Sequence, residues 1–137
     1  MTTKRKQLDL KTHEIYWLIG KHSPLSLENT LLIYKTVLKP VWTYGIELWG
    51  CATKSNIAVI QQYQSKLLRN ITNAPRYVSN QTLHSDLHIL HVHMVCWERT
   101  ATHHMTLDSH SNPLTEPLVH PPNNRHLKQR WTFDEIH

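Results

Sequence analysis

Three glycines and a single phenylalanine are all that a chain of 137 residues contains of these types. So little glycine leaves no room for the phosphate-cradling G-x-x-x-x-G-K-[ST] and G-x-G-x-x-G loops, and it argues against a turn-rich β architecture. The nucleophile elbow G-x-S-x-G is also absent. Hydrolase, nucleotide-binding and dinucleotide-dependent readings therefore fail for want of parts. Cysteine is equally scarce: Cys51 and Cys96 stand alone with no C-x-x-C, so a zinc finger has no framework. Two lone cysteines in an intracellular chain are expected to be reduced and partly buried. No run reaches the roughly 18 apolar residues of a membrane span. No signal-peptide pattern opens the chain, so it is expected to be intracellular, in nucleus or cytoplasm, not secreted and without a membrane partner. Adjacent aspartates are missing too: Asp9, Asp86, Asp108 and Asp134 each lack an aspartate neighbour. Two-metal polymerisation needs acidic residues held together over the strand end, so this chain alone is expected to extend no primer.

What is present is helical. The chain is organised around Ser26 to Gly50, SLENTLLIYKTVLKPVWTYGIELWG, its most apolar run, holding Trp42 and Trp49. Ser26 is a good N-cap, and Glu28 places a negative charge in the first turn. Leu27, Leu31, Tyr34 and Leu38 recur on one helical face, with Ile33 and Val37 beside it. Pro40 is expected to end this helix, to push Lys39 out of the α region, and to open a second helix running to Trp49. In that helix Gly45 would admit a neighbouring backbone and Gly50 would form the C-cap. Lys4 to Gly20 reads as an earlier helix with Leu8, Ile15, Leu18 and Ile19 inside. Ser55 is expected to cap Asn56 to Thr72, with Ile57, Ile60, Leu67, Leu68 and Ile71 buried and Tyr63 at the edge. Pro75 breaks that helix. Ser79 or Asn80 starts a short one to about Leu87, and Val92 to about Leu107 forms the last. The fold class is all-α, a small bundle of about five helices packed around Trp42 and Trp49. Residues 1–108 form the helical region. Residues 109–137, punctuated by Pro113, Pro117, Pro121 and Pro122, read as an extended, disordered C-terminal tail.

The net charge of +5 is unevenly placed: Met1 to Arg76 carries 11 Lys/Arg against 4 Asp/Glu, Tyr77 to His137 only 4 against 6. A polyanionic partner would meet the first part. Gln62, Lys66 and Arg69 share the outer face of the third long helix, and Arg76 lies just past the Pro75 corner. Cations on one ridge can bridge neighbouring phosphates, which makes Lys66, Arg69 and Arg76 candidate nucleic-acid contacts. Lys35 and Lys39, one turn apart, are weaker candidates. The plainer reading is that these cations only keep solvated faces wet. In the tail, Arg125, Lys128, Arg130 and Trp131 offer a further basic–aromatic group.

YKTVLKPVWTYGIELWG, followed by a Ser-capped helix and LLRNITNAPRYV, resembles the C-terminal part of the reverse transcriptase of jockey-type non-LTR retrotransposons. The resemblance runs from about Lys4 to Val92. It rests on Pro40, the Tyr44–Gly45 and Trp49–Gly50 pairs, Arg69, and the Asn73–Ala74–Pro75 corner. It implies a thumb-like helical segment that follows the catalytic palm of an RNA-directed DNA polymerase. Such a segment would help hold the RNA/DNA primer–template duplex and would meet the palm of its parent enzyme. It also implies no cofactor here, because Mg²⁺ would belong to the palm. From Leu87 to Met105, LHILHVHMVCWERTATHHM departs from the family, which has a proline near Leu90 and a more charged helix next.

Two other readings stay open. One is a stand-alone basic helical module that binds nucleic acid. The other is a protein-interaction or non-functional remnant in which Trp17, Trp42 and Trp49 would have packed on a palm. Of the 12 histidines, ten lie from His84 onward. His84, His88 and His91 would share a face of a continuous helix, but a break near Leu90 and the lack of a second ligand pair argue against a metal site.

Overall fold

In a computed structural model of the chain, residues 2–50 and 53–115 are described. The described residues are helical with no strand. The elements are α1 (Thr2–Glu14), α2 (Tyr16–Ile19), α3 (Leu27–Ile33), a π-helical turn (Tyr34–Leu38), α4 (Lys39–Thr43), α5 (Ile46–Trp49), α6 (Lys54–Thr72), α7 (Asn80–Leu87) and α8 (Val92–Asp108). Because α3, the π turn and α4 run on without a break, the architecture is the small all-α bundle expected. The core joins Leu8, Ile19, Tyr34, Leu38, Trp42 and Ile46 to Ile60, Leu67 and Leu68 of α6 and to Val92, Val95 and Cys96 of α8. Cys51 and residues 116–137, including Arg125, Lys128, Arg130 and Trp131, lie outside the described residues. Among those described, no helix is long and apolar enough to cross a membrane.

Pro40 does not end its helix. Lys39 stays in the right-handed helical region at φ −57°, ψ −45°, and its N–H reaches the Tyr34 carbonyl five residues back. In an α register the proline ring would meet the carbonyl four residues back. The wider i→i+5 turn relieves that contact and lets the helix continue to Thr43. The buried face is also turned from the expected one: Leu27 is exposed, while Thr30, Tyr34 and Leu38 point inward. At its start, Ser26 accepts from the Asn29 N–H at 3.4 Å.

The second expected helix, Pro40 to Trp49, is two. Tyr44 (φ −61°, ψ 120°) and Gly45 (φ 67°, ψ 22°) have the dihedrals of a type II turn. Gly45 is there for its left-handed backbone, and a Cβ would meet nothing within 4 Å. Gly50 is right-handed at φ −66°. Its missing side chain is what matters, because a Cβ there would strike Cys96 Sγ and lie 2.7 Å from the Ile46 carbonyl. Gly50 is the C-cap of α5, as expected, its N–H returning to the Ile46 carbonyl, but the close approach expected at Gly45 is found at Gly50 instead. Trp42 and Ile46 are buried as a result, whereas Tyr44 and Leu48 are 81% exposed.

Candidate nucleic-acid interface

Helix α6 supplies the scaffold. Thr53, not Ser55, caps it by accepting from the Asn56 N–H at 3.4 Å. Its inner side buries Ile60, Tyr63, Gln64, Leu67 and Leu68. Gln64 donates to the Tyr34 hydroxyl at 3.0 Å and to the Leu90 carbonyl at 3.1 Å, tying α6, the π turn and the α7–α8 connection at one amide. Burial pushes the Tyr34 phenol up to about 12. With this side fixed, the helical period turns Gln62 and Lys66 outward, and both are exposed.

Arg69, one turn beyond Lys66, is half-buried and its guanidinium is engaged. Nη1 donates to the Pro75 carbonyl at 3.0 Å, and Nη2 to the Val78 carbonyl at 2.9 Å and Asn80 Oδ1 at 2.6 Å. Helix α6 ends before Pro75, at Asn73, whose left-handed φ of 51° lets the Ala74 N–H return to the Arg69 carbonyl at 3.1 Å. Pro75 to Val78 then closes a β-turn, the Val78 N–H reaching the Pro75 carbonyl at 3.1 Å. Arg76 and Tyr77 are its two central residues, and both are exposed. Ser79 caps α7 by accepting from the Thr82 N–H at 3.1 Å. The sequence places Arg69 and Arg76 together as charges. The structure brings them together differently: one arginine grips the turn that displays the other.

The weaker candidates sit on other elements. Lys35 is exposed on the π turn and Lys39, half-buried, begins α4. The basic N-terminus is largely engaged within the fold, which the sequence does not reveal. Lys4 Nζ donates to the Tyr44 carbonyl at 2.8 Å and the Val41 carbonyl at 3.3 Å, and burial lowers its pKa. Arg5 pairs with Asp9 at 3.1 Å and lies 5.1 Å from the Tyr63 ring centroid. Of the expected tryptophan patch, Trp42 is wholly buried, Trp49 is half-buried, and Trp17 is exposed.

The histidines form a structural knot. His84 is buried, with Nδ1 2.9 Å from the Ile89 carbonyl and Nε2 3.2 Å from Gln61 Nε2. Gln61 Oε1 accepts from the Val92 N–H at 2.7 Å, which leaves its Nε2 as the donor to His84. The His91 ring stacks on His84 at 3.9 Å, while His88 sits exposed in a left-handed C-cap at φ 52°. No group of three or more His, Cys, Asp or Glu able to hold a metal occurs among the described residues. Asp9 is paired with Arg5, and Asp86 and Asp108 belong to different helices. These residues do not fit a Mg²⁺ site.

The relatives are transposon polymerases. The chain is 38% identical over 136 residues to a probable RNA-directed DNA polymerase from transposon X-element of Drosophila melanogaster, covering 99% of this chain and 15% of that protein. It is 32% identical over 120 residues to the probable RNA-directed DNA polymerase from transposon BS of the same fly, covering 88% of this chain and 13% of that one. It is 30% identical over 118 residues to the RNA-directed DNA polymerase from mobile element jockey of Drosophila funebris, covering 86% and 13%. The chain thus spans about 15% of the length, or less, of these curated relatives. No family model and no solved structure matches it.

Proposed function

The chain is homologous to a segment of the jockey-type RNA-directed DNA polymerases, and on that premise we propose that it is a thumb-like helical part of such a polymerase that holds the primer–template duplex by phosphate contacts. The observation that carries this reading is the outer ridge of α6, where Gln62 and Lys66 stand exposed and Arg69, three residues past Lys66, clamps the turn that displays Arg76. Lys66 and Arg76 supply free charge, with Lys35 and Lys39 as secondary contacts. Arg69 acts by holding the turn. The metal-dependent step of polymerisation falls to other parts of the polymerase, and this chain alone extends no primer. In fluorescence anisotropy with a labelled RNA–DNA hybrid, affinity should fall with salt, with a log–log slope of about −0.7 to −0.9 per phosphate neutralised. Folded protein that shows no binding at low salt overturns the reading.

A docking role toward other polymerase segments is the second reading. On α8, Met94, Trp97 and Met105 fall on one outward side at helical spacing and are 46%, 55% and 71% exposed. Such a stripe suits a protein partner. Concentration-dependent self-association without nucleic-acid affinity would favour it.

A further inference from the structure

We propose that Tyr77 is a base-stacking platform: the Arg76–Tyr77 turn tip engages an unpaired nucleotide beside the duplex, Arg76 on a phosphate and Tyr77 on the base. This deepens the duplex-holding reading and rests on it. Tyr77 is 88% exposed, the highest value among the large hydrophobic residues described. An aromatic ring so displayed usually sits on a mobile loop, where ordering it on a ligand is costly. Here the backbone beneath it is already held. The Pro75 carbonyl takes both the Val78 N–H at 3.1 Å and Arg69 Nη1 at 3.0 Å, and the Val78 carbonyl takes Arg69 Nη2 at 2.9 Å. Asn80, the first residue of α7, takes a third donor hydrogen bond at 2.6 Å. Both ends of the four-residue turn and the helix that follows are thus fixed by one guanidinium fork, a geometry that lysine does not reproduce.

The tip therefore offers a cation and a ring on successive residues of a backbone that is already held. Single-strand binders combine these two groups, because charge tracks the backbone and every base has a π face. In paired duplex the faces are taken by neighbouring bases, so a tyrosine platform gains most at an overhang or template end. Arg69 is a positioning residue in this arrangement, acting through the turn.

The test uses the full chain and labelled RNA–DNA hybrids, blunt or with a short single-stranded overhang, at several salt concentrations. Wild type should prefer the overhang. Tyr77→Ala should lose about fivefold or more in affinity for the overhang with an unchanged salt slope, and Tyr77→Phe should restore it. Arg76→Ala should lower the slope by about one charge. In an Arg69→Lys background, folded by circular dichroism, Tyr77→Ala should cost little further, a non-additivity that a merely stabilising Arg69 would not give. Wild-type binding to both hybrids that Tyr77→Ala leaves unchanged overturns this inference and spares the duplex-holding reading. Absence of binding to either hybrid overturns both. Loss in Tyr77→Ala of self-association, with hybrid binding unchanged, would assign the tip to a protein contact and also overturns it.

Discussion

The guanidinium of Arg69 reaches nine residues along the chain to the main-chain carbonyl of Val78, at 2.9 Å. With its bonds to Pro75 and Asn80, it makes the corner between α6 and α7 a fixed piece of structure. Charge-assisted bonds of this kind contribute about 1.5–3 kcal/mol when desolvated, and less at a half-exposed site. Arg69→Ala should therefore lower stability by about 1–2 kcal/mol, and Arg69→Lys should recover little of it. Lys66→Ala, on the exposed side of the same helix, should stay within about 0.5 kcal/mol of wild type. Urea unfolding of the three variants checks the ranking.

The two glycines of the central stretch should respond differently to alanine. Gly45→Ala forces a left-handed φ of 67° on a residue with a Cβ, costing about 1 kcal/mol through the backbone. Gly50→Ala drives a methyl into Cys96 Sγ and the Ile46 carbonyl, costing about 1–3 kcal/mol through overpacking. Cys96→Ala should recover part of the second loss and none of the first. Thermal melts of the singles and doubles separate the two causes.

Helix existence was legible because the signals were local. Ser26 and Ser79 cap where a hydroxyl precedes an apolar period, and α8 emerges from its pattern despite its histidines. Pro40 misled because a local rule met a tertiary demand. Tyr34, Leu38 and Trp42 all have to face the core, and one π turn satisfies that while sparing the proline ring. Gly45 and Gly50 were legible as special but not as to cause, since φ and neighbouring atoms are not written in spacing. The candidate site was legible as an outward ridge of α6. The engagement of Arg69, Lys4 and Arg5 was not, because their carbonyl and ring partners lie up to 58 positions away in the chain, as Arg5 and Tyr63 do.

Alkali should unfold the protein through buried tyrosines. Burial, more than any partner, raises Tyr34 to about 12 from 10.0, and Tyr63 also moves up for the same first cause. A raised pKa in the folded state means stability is intact below pH 10 and is lost as pH rises toward 12. Phenolate absorbance should show part of the tyrosine signal appearing late and together with unfolding. Tyr34→Phe should flatten this alkaline loss at a cost of about 1 kcal/mol at neutral pH, from the bond to Gln64.

Acid should act through the histidine stack. Burial first, then the neighbouring His84 and His93, lower the His91 pKa from 6.5. The unfolded chain then takes this proton at higher pH than the folded one, so stability present above pH 6.5 declines as pH falls through the folded value. The melting temperature should drop as the pH falls below 6.5. His91 is the N-cap residue of α8 but makes no side-chain capping bond; His91→Asn, which places a preferred N-cap type there, should reduce that drop. An acid limb unchanged in the variant would assign it to other groups.

Hybrid-duplex binding by Lys66→Ala/Arg76→Ala tests the central claim most directly. Fluorescence anisotropy at two salt concentrations should show weaker binding than wild type and a slope smaller by about two charges, with the circular dichroism spectrum unchanged. Wild-type affinity and slope retained by the double variant would contradict the account, and the ridge of α6 would then be no more than a solvated helix face.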